Sequence, residues 1–135
     1  FPYTTLFRSK IAAGEIPSYK CAENDKFYAF LDINPVGKAH TLVIPRKEVD
    51  YIFDMDDNDL AEFQLFAKKV AQAIRSEFPC KKVAQIVLGL EVPHAHIHLI
   101  PINSEADVNF RNHITIADEE QKAIAARIYA AFQKL

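Results

Sequence analysis

Between Glu91 and Pro101 the chain reads Glu91-Val92-Pro93-His94-Ala95-His96-Ile97-His98-Leu99-Ile100-Pro101, so three of its five histidines fall at every second position. A period of two belongs to a β-strand, whose successive side chains point to opposite faces. The spacing predicts a strand over Val92 to Ile100, with His94, His96 and His98 on one face and Ala95, Ile97 and Leu99 on the other. Neighbouring imidazoles on such a face have Cα atoms roughly 6 to 7 Å apart, because the strand rises about 3.3 Å per residue. A solvated strand face, or core histidines bonded to backbone carbonyls, is the bland alternative. Three rings in register among apolar residues weigh against it, since buried polar groups are costly without partners.

The rest of the composition sets limits. A chain of 135 residues, 50% hydrophobic and 25% charged, suits one domain with a real core. A net charge of −2 leaves no electrostatic footprint for nucleic acid or an acidic membrane surface. No run of about 18 apolar residues predicts a membrane span, and no leader pattern stands at the start. The expected location is the cytoplasm. Cys21 and Cys80 lack the Cys-x-x-Cys spacing of a zinc or redox site and are expected to be free, buried thiols, without a structural metal. Residues 1–9, Phe-Pro-Tyr-Thr-Thr-Leu-Phe-Arg-Ser, match one reading frame of a widely used sequencing adapter. They are read as a non-native segment, which leaves residues 10–135 as a single domain.

Lys10 to Ala13 predicts the end of a short helix stopped by Gly14, with Glu15-Ile16-Pro17-Ser18 as the turn out of it. Strands are expected at Tyr19 to Glu23 and Phe27 to Leu31, joined through Asn24-Asp25, and at Ala39 to Ile44, ended by Pro45. These form an antiparallel meander. Over Asp50 to Pro79 the period becomes helical: Leu60, Phe63, Ala67, Val70, Ile74 and Phe78 make one apolar stripe, with Asp56 or Asp57 as N-cap. Val83 to Leu88 predicts a fourth strand, with Gly89 and Leu90 as a tight connection to the fifth. Thr115, three residues before Asp118, predicts a capped final helix with Ile124, Ile128, Ala131, Phe132 and Leu135 on its apolar side. The class is α+β: a five-stranded antiparallel sheet with one central and one C-terminal helix.

The histidine stretch resembles the His-φ-His-φ-His-φ-φ signature of the histidine triad family of nucleotide hydrolases and transferases, with Ala95 counted as apolar. A second block, Phe30-Leu31-Asp32-Ile33-Asn34-Pro35 through Gly37-Lys38-Ala39-His40-Thr41-Leu42-Val43-Ile44-Pro45, is similar to that family's upstream nucleotide-binding region. The likeness runs from Lys10 to about Ile102. One departure lies before Glu91, where relatives carry a longer glycine-rich loop with a glutamine and this chain has Leu90.

The resemblance implies roles. His96 would attack the α-phosphate and become a nucleotidyl-histidine, His98 would donate to a non-bridging oxygen, and His94 would fix the orientation and tautomer of His96. His40 would join them from a neighbouring strand. Asp32 would bind the ribose hydroxyls, Phe30, Ile33 and Ile11 would hold the base, the Val92 amide would donate to phosphate, and Glu91 would stand near the leaving group. The substrate would be a purine nucleotide, AMP in the first instance, and no cofactor is needed. Two chains would join as a homodimer that continues the sheet. Imidazole chemistry suits this, since a mostly neutral ring at pH 7 offers a lone pair on one nitrogen and a donor on the other.

The residues leave two rivals open. Histidines at alternate strand positions also hold zinc with a water in the open position, and His94, His96, His98 and His40 could form such a set. A nucleotide sensor that turns over little would need the same pocket. Asp32 has a plainer reading as the start of a turn before Asn34-Pro35, and His113 is expected to be surface.

Overall fold

In the computed structural model, which describes residues 10–14, 17–90 and 92–135, the predicted meander forms from local signals. Asn24 starts the first hairpin: its Oδ1 accepts from the amides of Lys26 (2.9 Å) and Phe27 (2.8 Å), and its own amide donates to the Phe27 carbonyl. This turn joins β1 (Lys20–Glu23) to β2 (Phe27–Leu31). β3 (Thr41–Pro45), β4 (Lys82–Ile86) and β5 (Ile97–Ile102) complete one antiparallel sheet in the order β1-β2-β3-β5-β4. In register, Leu42 of β3 lies opposite His98 of β5, and Val43 opposite Ile97.

Every residue of β2 and β3 is buried, so these central strands are covered on both faces, which is why they read as continuous apolar runs. On one face Phe27, Ala29, Leu31, Val43, Ile97 and Leu99 meet the helices. On the other, Tyr28, Phe30, Leu42 and Ile44 pack against Ile11 and Ala12 of the helical residues 10–12. Arg46 clasps that helical end to the sheet, donating to the Ala12 carbonyl and to Glu23 Oε1. Gly14, at φ +80°, ends it as its freedom from a Cβ allows.

The central helix α1 (Asp57–Glu77) is capped by Asp56, whose side chain accepts from the Asp59 amide at 2.8 Å. Phe63, Phe66, Ala67, Val70, Ala73 and Ile74 are its buried side, and Phe63 stacks on Phe27 with ring centroids 5.3 Å apart. Leu60 and Phe78 flank this stripe half-buried. No helix among the described residues is long and apolar enough to cross a membrane.

Several expectations fail: β3 starts at Thr41, after a left-handed Ala39, and Cys80 is only half-buried. The last helix, α2 (Asp118–Gln133), begins after Ala117 with no side-chain cap, so Thr115 does not cap it, and Leu135 is exposed. A reciprocal cap of the expected kind stands instead between Ser104 and Asp107. The fifth strand starts at Ile97, not Val92, so strand alternation does not reach His94 and His96. Pro93 has no amide to enter the ladder. The neighbouring amides point elsewhere: His94 N–H to the Val92 carbonyl (2.9 Å) and Ala95 N–H to the Val49 carbonyl (2.6 Å). The turn expected at Glu15-Ile16 and the segment 1–9 lie outside the described residues.

Candidate active site

Although only His98 stands in the strand, the polar rings converge. His98 Nδ1 is 2.9 Å from Nε2 of His40, the residue before β3. The His96 and His98 ring centroids are 4.9 Å apart, and those of His40 and His98 5.2 Å. Ala39, buried and left-handed at φ 65°, turns the chain so that His40 faces inward. For an L-residue this conformation costs about 1–2 kcal/mol.

The backbone sets each tautomer by what it offers the ring nitrogens. The Val36 amide donates to His40 Nδ1 at 3.1 Å, so the His40 proton sits on Nε2 and donates to His98 Nδ1. His98 in turn carries its own proton on Nε2. His96 Nδ1 donates to the His94 carbonyl at 2.8 Å, which puts the His96 lone pair on Nε2. His94 Nε2 donates to the Pro45 carbonyl at 2.8 Å, so the fully buried His94 ring is turned toward β3. Its Nδ1 has no hydrogen-bond partner among the described residues. His94 thus meets His96 through its carbonyl oxygen, while its own imidazole turns to Pro45.

The other expected residues are placed unevenly. Asp32, 8% exposed, accepts the Asn34 amide on Oδ1 at 2.9 Å, which is its turn-starting role, and its Oδ2 lies 3.6 Å from His40 Nε2. Phe30 and Ile11 are buried in the same small cluster, whereas Ile33 is exposed. Val92 is half-buried, and Glu91 lies outside the described residues. His113 is exposed as expected, but its Nδ1 donates to the Asn34 carbonyl at 2.8 Å. Ligand atoms of Asp32, His40 and His98 lie within 4.8 Å of one another and could hold a metal ion. That set has Asp32 in place of two of the four histidines expected of a zinc site: His96 lies outside it, and His94 is engaged with Pro45. A mostly apolar cavity of about 1020 Å³, lined by Tyr51, Phe53, Leu60, Val87 and Leu88, opens beside His96.

Two contributors escaped the sequence. The Val36 amide carries no side-chain signal. Phe110 packs edge-on against His98, ring centroids 4.9 Å apart, from a turn beyond the end of β5. Only the Asn109 to Asn112 turn chemistry around Phe110 marks it.

Burial, reinforced by repulsion from His113 and His96, pushes the His40 ring down from its ordinary value near 6.5 to about 4. Between those values the unfolded chain binds a proton that the folded chain does not, so stability is full above pH 6.5 and falls as the pH drops. From pH 6.5 to 5, above the carboxylate range, His40 is expected to withdraw roughly 2 kcal/mol. Urea midpoints across that window check this, and midpoints independent of pH would contradict it.

The HIT domain family model matches residues 13–105. The protein named hit of Bacillus subtilis (strain 168) is 37% identical over 103 residues, 73% of this chain and 71% of that protein. The adenosine 5'-monophosphoramidase of Schizosaccharomyces pombe is 34% identical over 123 residues, 88% of this chain and 92% of that enzyme. The crystal structure of a hypothetical histidine triad nucleotide-binding protein from Sulfolobus tokodaii superposes with a TM-score of 0.82 at 26% identity, covering 94% and 91% of the two chains.

Proposed function

Because the chain belongs to the HIT domain, or histidine triad, family, we propose that it is a nucleotide hydrolase which releases AMP from a phosphoramidate through a nucleotidyl-histidine at His96. The observation that carries this reading is the bond from His96 Nδ1 to the His94 carbonyl, which orients the ring and leaves the lone pair on Nε2. The family relative named an adenosine 5'-monophosphoramidase supports the substrate class.

His96 Nε2 attacks the α-phosphorus, a P–N bond forms to the ring, and the bond to the leaving nitrogen breaks. The leaving amine takes a proton, for which Glu91 is the proposed source. His98 donates its Nε2 proton to a non-bridging oxygen, and the Val36 to His40 to His98 chain keeps that proton in place. Water then attacks phosphorus and gives its proton back to the proposed Glu91 carboxylate, the P–N bond to His96 breaks with its electron pair returning to Nε2, and AMP leaves. Asp32 would accept the ribose hydroxyls, with Phe30, Ile11 and Ile33 beside the base and the Val92 amide on phosphate.

No metal enters these steps. We place a second copy along β4, the sheet edge, where Val87, Leu88, Leu90, Tyr51 and Phe53 leave apolar surface exposed. Two free cysteines suit a reducing cytoplasm.

The test is steady-state AMP release from adenosine phosphoramidate in chelator. Turnover unaffected by chelator is expected. AMP binding without turnover would make the protein a sensor, and activity lost in chelator but restored by zinc would make it a metal hydrolase.

A further inference from the structure

The segment between β5 and α2 has no part in the steps above, yet it reaches the paired histidines. Asn112 N–H donates to the Asn109 carbonyl at 3.0 Å, and Arg111 N–H donates to Asn109 Oδ1 at 3.0 Å, a doubly closed turn with Phe110 at its apex. The half-buried Phe110 ring lies against His98 at 4.9 Å and against His40 at 6.3 Å, edge-on to both at 62° and 66°.

Just beyond, His113 Nδ1 donates to the Asn34 carbonyl and the Ile114 amide to the Pro35 carbonyl, each at 2.8 Å. Those carbonyls belong to the same connection whose Val36 amide sets the His40 tautomer. From α2, Gln121 Nε2 donates to the Asp32 carbonyl at 3.1 Å. The loop that aims His40 and the turn that presents Phe110 are thus buckled together over one hydrogen bond.

We propose that Phe110 is a positioning residue: its ring seals the His40 to His98 hydrogen bond from water, and so holds His98 in place to donate its Nε2 proton to the substrate phosphate. A hydrogen bond between neutral rings is weak where water competes and stronger where water is excluded. An aromatic edge beside two imidazoles supplies that exclusion without offering a competing donor. This inference rests on the nucleotidyl-transfer reading only for its kinetic arm.

The test compares the parent with Phe110→Ala and Phe110→Leu. In the ligand-free protein the His40 Nε2 proton is read by nuclear magnetic resonance as a slowly exchanging imidazole resonance. Phe110→Ala is expected to speed its exchange with water at least about tenfold while the amides of β2 and β3 keep their protection, and Phe110→Leu, which keeps an apolar cover, to restore slow exchange. With adenosine phosphoramidate, kcat of Phe110→Ala falls roughly tenfold or more with KM little changed. Unchanged exchange in Phe110→Ala overturns the proposal, as does a general loss of protection in the sheet, or faster exchange with kcat unaltered. A parent that turns over no substrate sinks the hydrolase reading, whereas the exchange comparison, made without substrate, still decides whether Phe110 seals the bond.

Discussion

Replacing His96 with asparagine is expected to lower kcat for adenosine phosphoramidate by roughly a thousandfold or more while AMP affinity and thermal stability change little. Asparagine is the informative choice because its amide can still donate to the His94 carbonyl, the bond His96 Nδ1 makes at 2.8 Å. The substitution therefore keeps the local hydrogen bond and removes only the lone pair proposed to attack phosphorus. His96 is 5% exposed, so an alanine would also open a void and confuse loss of chemistry with loss of packing. Steady-state kinetics alongside an AMP titration separates the two constants. Turnover within tenfold of the parent would mean that the nucleophile is another group.

Phe63→Ala should cost 3–5 kcal/mol, roughly, which is a large share of the 5–15 kcal/mol that holds a domain of this size together. Phe63 is fully buried, and its ring stacks on Phe27 while the sheet face and α1 close around both. Removing it deletes one of the two ring contacts, the other being Phe66 on Phe27, by which the central helix packs on the strand that precedes the Asp32 turn. Lys68, on the solvent side of the same helix, is the control: Lys68→Ala should stay within about 0.5 kcal/mol. Urea unfolding of the three proteins checks the pair. A Phe63→Ala cost near that of Lys68→Ala would mean that the helix and sheet do not share one core.

Much of this architecture is legible because its signals are local. β2 runs from Phe27 to Leu31 as the hydrophobic run and the Asn24 turn dictate, and the Asp56 cap opens α1 where an acidic residue precedes the helical period. The stretch at 92–96 misleads because alternation alone does not make a strand. His-x-His spacing promises a ladder, but Pro93 cannot join one, and the Ala95 amide is taken by Val49, a contact between residues 46 apart in sequence that no spacing rule foresees. The same limit hides the site's second layer. Val36 acts through its backbone and Phe110 arrives from a turn 70 residues beyond His40, so neither carries a periodic mark. Asp32 reads as a turn residue before Asn34-Pro35, and its bond to the Asn34 amide bears that reading out.

The measurement that reaches the central claim most directly is intact-protein mass after brief mixing with an adenosine phosphoramidate in chelator, parent against His96→Asn. A mass gain of one AMP is expected on the parent, formed without metal, and none on the variant. Turnover by the parent with no adduct at any quench time, or an adduct that persists in His96→Asn, would contradict that claim.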